Sequence, residues 1–207
     1  MIAVHTAAWA LSGGAVGAAL APVTHRVMRS RPPMIAVLTV SAVVTLALWG
    51  LLAWRRQAWP ELVVDSALAG LAVPLALVDV VERRLPTPLI RSLYAVSIAA
   101  AAGLDWDVGR LIRAAVGMTA SLLVYLAIAM AFPGDLGAGD VRLAGAIGWI
   151  LAWHSWSTLL AGAVLGAAAG GLAGAAFLAF RRSSQNRHMP AGPTMLLGAL
   201  GALWLAV

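Results

Sequence analysis

Long apolar runs separated by short polar segments are the main pattern along the chain. The apolar positions are continuous rather than alternating, and about 20 of them let a helix cross the hydrocarbon core of a membrane. Only helices or closed barrels satisfy every backbone polar group in lipid, and continuous runs favour helices. The pattern therefore predicts an all-α, polytopic transmembrane bundle of about seven or eight helices. The predicted helices are Ala7–Val23, Met34–Trp54, Leu62–Val81, Pro88–Leu104, Val108–Phe132, Val141–Trp153, Ser157–Phe180 and Ala191–Ala206.

The sixth predicted helix, Val141–Trp153, is short for a full crossing, at about 13 residues. It is expected to be tilted into a recess or to begin inside the membrane. In the seventh, glycines recur every four residues on one helix face, which predicts close packing against a neighbouring helix. A dimer interface or a substrate groove are the alternatives. These glycines are Gly162, Gly166, Gly170 and Gly174.

The composition agrees with a membrane protein. The 207 residues are 62% hydrophobic and 11% charged, too apolar for a soluble domain with a hydrated surface. The net charge of +6 would suggest nucleic acid on a soluble protein, but the basic residues are scattered over short loops, so they indicate orientation in the membrane and no nucleic-acid partner. The absence of cysteine excludes disulfides, thiolate metal sites and a cysteine nucleophile.

The arginines divide unequally between alternate loops. Ten lie in the loops of one side, including Arg26, Arg83 and Arg142, and four lie on the other side. Because cytoplasmic loops are richer in arginine, the richer side is expected to be cytoplasmic and both termini to lie outside. The segments ERRLPTP and PGDLGAGDVR then share the cytoplasmic side.

Acidic residues inside apolar helices are costly and by default indicate function. Of the eight acids, four are predicted near the outer side; they are expected to be solvated, although Asp65, a turn deeper, could be a buried polar contact. The other four, Asp79, Glu82, Asp135 and Asp140, cluster at the inner side. Glu82 and Asp135 are expected to be solvated loop charges; the alternatives are that they tune the pKa values of the two neighbouring aspartates or bind a basic substrate segment. The four histidines are dispersed, so no metal site is proposed.

Asp79 and Asp140 each have a structural explanation when taken alone. Asp79 lies in the apolar run of the third helix, where it could pair with Arg83 on the same face. Asp140 follows a Gly-Ala-Gly turn and could cap the sixth helix. Gly137 and Gly139 are expected to adopt positive φ and to let an extended peptide backbone approach closely.

Taken together, the two aspartates suggest a catalytic pair. Two carboxyls in a partly desolvated site cannot both ionise easily, so one keeps its proton while the other acts as a base. In an aspartic protease one carboxyl takes a proton from water and the other donates to the scissile carbonyl. The sequence therefore predicts proteolysis by Asp79 and Asp140.

Four motifs in the correct order resemble those of the type IV prepilin peptidases, bacterial members of the GxGD class of membrane aspartic proteases. The motif GAGDVRL resembles the family's G-x-G-D-x-K-L, with Arg142 in place of lysine. The segment DVVERRLPTPL is similar to the motif of the first aspartate, in which a Leu/Ile-Pro pair follows the acid; here the pair is Leu85 and Pro86. The segment MPAGPTMLLGAL is similar to the late I-P-F-G-P stretch, and LSGGAVGAALAPVTHRV is similar to the opening helix.

This resemblance implies cleavage of the basic leader of pilin-like precursors at the cytoplasmic face of the bacterial plasma membrane, without a cofactor. Residues 1–207 would form one membrane-embedded peptidase domain, with 1–56 a remnant of the N-terminal region and 57–207 the catalytic core. The implied partners are the precursor and the lipid bilayer, and a homo-oligomer is left open. The implied catalytic residues are Asp79 and Asp140; the implied substrate-binding residues are Gly137, Gly139, Arg142, Pro86, Gly192 and Pro193.

Departures from the family pattern leave alternatives open. The cysteine-bearing insertion associated with methylating the new N-terminus is missing, which places N-methyltransferase activity in doubt. Another GxGD protease, such as a signal-peptide peptidase, is one alternative, although Val78 stands where those proteins have tyrosine. A non-proteolytic ion-coupled transporter is another, because intramembrane acids also serve ion relays. A non-catalytic scaffold is the third.

Overall fold

The computed structural model describes residues 2–55, 59–104, 106–133, 136–180 and 191–206, and in these ranges it contains eight α-helices and no strand. This confirms the all-α bundle. The helices are α1 (Ile2–Val27), α2 (Met34–Arg55), α3 (Trp59–Glu82), α4 (Thr87–Leu104), α5 (Val108–Ala131), α6 (Ala138–His154), α7 (Trp156–Phe180) and α8 (Gly192–Leu205). Within the described ranges, six are long and apolar enough to cross a membrane, and α6 and α8 are shorter.

Consecutive helices run antiparallel, so the connections alternate between two ends of the bundle. We call the end where α3 finishes and α6 begins the arginine-rich end. There Glu82 of α3 accepts hydrogen bonds from Ser30 in the α1–α2 connection, at 2.8 Å from the backbone nitrogen. At the opposite end, Arg110 of α5 lies 3.7 Å from Glu61 of α3. The loops that contain the two aspartate motifs therefore share one end of the bundle, as the pattern of arginines predicts.

Helices α3 and α6 form the centre of the bundle. Fourteen of the 24 residues of α3 are buried, and so is every residue of α6 from 143 to 153. Helix α6 begins three residues earlier than predicted and has 17 residues, because the glycine-rich segment before Asp140 is helical rather than a turn. The two helices that carry Asp79 and Asp140 are thus packed inside the others.

Polar contacts join α3 to α6 at the opposite end. The Oδ1 atom of Asp65 lies 2.7 Å from Nε2 of His154, and both side chains are buried. Asp65 is therefore the buried polar contact that the sequence left open as an alternative. The guanidinium of Arg113 donates hydrogen bonds of 2.6 to 2.9 Å to the last carbonyls of α6, from Ala152 to His154. These carbonyls lack partners within the helix, so Arg113 completes the C-terminus of α6.

The small-residue face of α7 packs against α8, as predicted. A Cβ atom added to Gly198 of α8 would overlap the backbone of Gly166 and lie 2.9 Å from the carbonyl oxygen of Gly162. Gly174, on the same face of α7, has no atom within 4 Å of such a Cβ position. The close approach of the two helices therefore depends on the first part of the stripe and on Gly198.

We expect the substitution Gly198→Ala to force α7 and α8 apart and to lower the free energy of unfolding by about 1–3 kcal/mol, as overpacking does. The measurement is the thermal unfolding midpoint of the purified protein in detergent. Gly174→Ala is the matched control and should leave the midpoint unchanged or raise it slightly, because alanine favours a helix and meets no neighbour there. Equal midpoints for the two variants would contradict the packing described.

Candidate active site

Asp79 is a buried carboxyl in the last turn of α3. Its side chain is 4% exposed, and Oδ2 accepts a hydrogen bond of 3.0 Å from the backbone N–H of Gly192 at the start of α8. Arg83 lies beyond the end of α3 with a φ of 52°, in the left-handed region. The expected pairing of Asp79 and Arg83 on one helix face does not hold, since the helix ends between them. The partner of Asp79 is instead a backbone group 113 residues away in the sequence.

Asp140 lies in the first turn of α6. Its Oδ2 accepts a hydrogen bond of 3.0 Å from the backbone N–H of Gly137, which is the residue that precedes the helix. The prediction that Gly137 and Gly139 adopt positive φ is wrong: Gly137 has a φ of −82° and Gly139 is helical. Asp140 is the third residue of α6 rather than its N-cap, but it does cap the helix, because its carboxylate accepts from the backbone N–H of the N-cap residue.

The segments that hold the two carboxyl groups meet at one residue: Gly139, beside Asp140, faces Cβ of Leu85, and Gly192, which donates to Asp79, faces its Cδ2. The two carboxyls come from different helices, and each has its Oδ2 atom fixed by a backbone N–H of a glycine at 3.0 Å. The expected juxtaposition of Asp79 and Asp140 is therefore present, while their catalytic roles stay a prediction. Chemically, such a pair can exchange protons with a water molecule and a peptide group held beside it.

Leu85, in the connection between α3 and α4, lies against the start of α6, which carries Asp140, and the start of α8, whose Gly192 donates to Asp79. A Cβ atom added to Gly139 would be 2.8 Å from Cβ of Leu85, and one added to Gly192 would be 3.2 Å from its Cδ2. The latter would also be 2.7 Å from Oδ2 of Asp79. The glycines at these positions therefore leave room for Leu85 and Asp79. Sequence reasoning noticed Leu85 only as part of a motif, and its spacing from the acid was the available signal.

The other predicted substrate-binding residues surround this cluster. Arg142 is exposed, and its Nη1 donates a hydrogen bond of 3.2 Å to the hydroxyl of Thr87. Pro86 is buried, and Pro193 lies at the edge of an apolar groove of about 350 Å³ between α2, α3 and α8. Their contact with a substrate stays a prediction. No sequence pattern singles out Tyr94, whose hydroxyl donates to the backbone carbonyl of Arg142 at 2.9 Å.

Glu82 belongs to a group of polar contacts that joins the end of α3 to the end of α1; we call this group, Val27, Ser30, Glu82 and Arg84, the clasp. Its carboxylate accepts hydrogen bonds from Ser30 and pairs with Arg84 at 2.6 Å, and its side chain is 8% exposed. Arg84 in turn donates to the carbonyl of Val27 at the end of α1. The solvated loop charge that was one expectation for Glu82 is therefore wrong. Asp135, the other acid of this group, lies outside the described residues.

The remaining polar residues do not form a metal site in the described part of the chain: no three His, Asp or Glu side chains come together there. The chain as a whole has no cysteine.

Comparison with known proteins identifies a family. Residues 66–179 match the sequence model of the type IV leader peptidase family, which is more than half of the chain. The matched range contains Asp79, Leu85 and Asp140 with their motifs, whereas Gly192 and Pro193 lie beyond it. No curated protein and no solved structure matches the chain.

The contact between Leu85 and the start of α6 can be tested by cross-linking, because the chain has no cysteine of its own. We expect the double variant Leu85→Cys, Gly139→Cys to form an intramolecular disulfide on mild oxidation. The two Cβ positions are 2.8 Å apart, and a small outward shift reaches the separation of about 3.5–4.5 Å that a disulfide needs. The measurement is the loss of maleimide-reactive thiols after denaturation.

The matched control is Leu85→Cys, Gly103→Cys, since Gly103 belongs to the far end of α4 and has no neighbour within 4 Å of its Cβ position. Its two thiols should remain reactive. Free thiols in both double variants would contradict the position of Leu85.

Proposed function

Because the chain belongs to the type IV leader peptidase family, we propose that it is a membrane aspartic endopeptidase with Asp79 and Asp140 as its catalytic pair. The family implies a peptidase in a membrane and pilin-like precursors as substrates. The proposed reaction is removal of the leader from such a precursor at the cytoplasmic face of the bacterial plasma membrane.

One observation supports the aspartic mechanism: two carboxyls on the two central helices lie at the arginine-rich end, held by segments that both face Leu85. Each is oriented through one oxygen, Oδ2, by a backbone N–H. A carboxyl held by one oxygen has a fixed direction for the other, and such orientation is what acid–base catalysis requires. Asp79 is buried and Asp140 is partly exposed, so water and substrate reach the pair from the side of Asp140.

In the proposed reaction the pair carries one proton. The ionised carboxyl takes a proton from water, and the water oxygen bonds to the carbonyl carbon of the scissile peptide while the protonated carboxyl gives its proton to the carbonyl oxygen. The resulting diol then returns a proton to the ionised carboxyl. The other carboxyl protonates the amide nitrogen, and the C–N bond breaks. The products are a carboxylic acid on the leader and a free amine on the mature protein, and the pair again carries one proton.

The substrate backbone is proposed to pass over the start of α6, where Gly137 is exposed, and beside Arg142 and Pro193. Thr87 holds one nitrogen of the Arg142 guanidinium at 3.2 Å, and the other donors can form a fork to a peptide carbonyl or a carboxylate. Gly139 and Gly192 contribute by their lack of a side chain, since Leu85 and Asp79 occupy the space beside them. Pro86 is buried and restricts the backbone after Leu85, so we propose that it shapes this side of the substrate site.

We expect Asp79→Asn and Asp140→Asn each to abolish leader cleavage, because an amide can neither take a proton from water nor return one. The measurement is the intact mass of a pilin-like precursor co-expressed with each variant. Asp107→Asn is the matched control: Asp107 caps α5 at the opposite end, and asparagine caps equally well, so cleavage should continue. Substantial cleavage by either pair variant would refute the mechanism.

The same spectra, assays with signal-peptide remnants and measurements of ion flux distinguish the alternatives. A mature product heavier by about 14 mass units, the methylene that N-methylation adds, would restore the methyltransferase. Cleavage of signal-peptide remnants but of no pilin-like precursor would identify another GxGD protease. Ion flux in proteoliposomes that Asp79→Asn removes, without proteolysis, would establish a transporter. A folded wild type with neither activity would identify a scaffold.

We expect the arginine-rich end to face the cytoplasm. In intact cells, a membrane-impermeant maleimide should label Trp106→Cys at the opposite end and should label Arg29→Cys only after permeabilisation. Both positions are exposed in the structure. Labelling in the reverse order would place the pair of aspartates on the outer face and contradict the proposed site of cleavage.

A further inference from the structure

The short connection between α3 and α4 is held firmly on both sides of Leu85. Before it, Arg84 forms an ion pair with Glu82 at 2.6 Å and donates to the carbonyl of Val27 at 2.6 Å. After it, Pro86 is buried and has a restricted φ. The backbone of Leu85 therefore has little freedom, although the residue belongs to no helix.

The side chain of Leu85 reaches both segments that orient the aspartates. Gly139, which directly precedes Asp140, faces Cβ of Leu85, and Gly192, which donates its N–H to Asp79, faces Cδ2. A single side chain on a fixed backbone thus lies between the start of α6 and the start of α8. Movement of either segment relative to the other has to displace Leu85.

We propose that Leu85 is a positioning residue that sets the separation of the two catalytic carboxyls. This inference rests on the proposed function of the pair. A water molecule and a scissile peptide have to fit between the carboxyls, and a misplacement of about 1 Å lowers catalysis by roughly 100-fold. Loss of the leucine side chain removes the contact with Gly192 while the backbone contact with Gly139 remains. The start of α8, and with it Asp79, then has room to shift relative to Asp140.

The test is a graded series at Leu85, assayed for cleavage of a purified pilin-like precursor in detergent by the folded protein. We expect Leu85→Ala to lower kcat by about 10- to 100-fold with KM changed by less than about 3-fold, because the carboxyls rather than the peptide contacts are displaced. Leu85→Val should lower kcat less than Leu85→Ala does. Leu85→Met, which conserves the side-chain volume, should retain most of kcat. Val serves as the informative variant if Ala does not fold.

Leu89→Ala is the matched control, because Leu89 is equally apolar, is 3% exposed and lies one turn away in α4. It should lower the unfolding midpoint and leave kcat within about 3-fold of wild type. A kcat near that of wild type for both Leu85→Ala and Leu85→Val, or an equal loss in Leu89→Ala, would overturn the inference. Asp79→Asn is assayed in parallel: if it cleaves, the proposed function fails, and if it is inactive while the leucine variants are normal, only the role of Leu85 fails.

Discussion

The buried carboxyl of Asp79 is the constraint on which the rest of the arrangement depends. Placing an ionisable group at 4% exposure in an apolar bundle costs several kcal/mol unless hydrogen bonds compensate. The compensation comes from the N–H of Gly192, which requires the start of α8 to lie against the end of α3. That position leaves no space for a side chain at Gly192 and places α8 close to α7, where Gly166 and Gly198 touch through their backbones.

Asp140, the second aspartate, lies in α6, which together with α3 forms the centre of the bundle. Contacts at both ends of the bundle fix α6 in place. At the opposite end, the Asp65–His154 contact and the guanidinium of Arg113 fix α6 against its neighbours. At the arginine-rich end, Leu85 fills the gap between the starts of α6 and α8. The aspartates therefore lie on rigid elements rather than on mobile loops, and such support suits a site whose chemistry depends on a separation between two groups.

Hydropathy alone predicted the helices, because each helix corresponds to one continuous run of apolar residues in the sequence. It also predicted which acids share an end of the bundle, since antiparallel helices with short loops leave few arrangements. It did not predict contacts between distant residues. Glu82 binds Ser30, 52 residues away, so a residue that reads as a loop charge is a clasp between α1 and α3. Trp149 and Trp153 are buried because α6 is central; hydropathy does not predict this, since a helix that is apolar all round can lie inside the bundle or face lipid.

The glycines around Asp140 show the same limit in a single motif. Read locally, Gly137 and Gly139 suggest a turn that needs positive φ, but neither residue adopts it. Gly137 contributes an N–H that orients Asp140, and a Cβ atom added to it would lie 3.3 Å from the same Oδ2 atom. Gly139 contributes the absence of a Cβ atom, because Leu85 occupies the adjacent space. The second glycine is therefore required by a tertiary contact, and it follows that Gly139 and Leu85, which are far apart in the sequence, act as one structural unit.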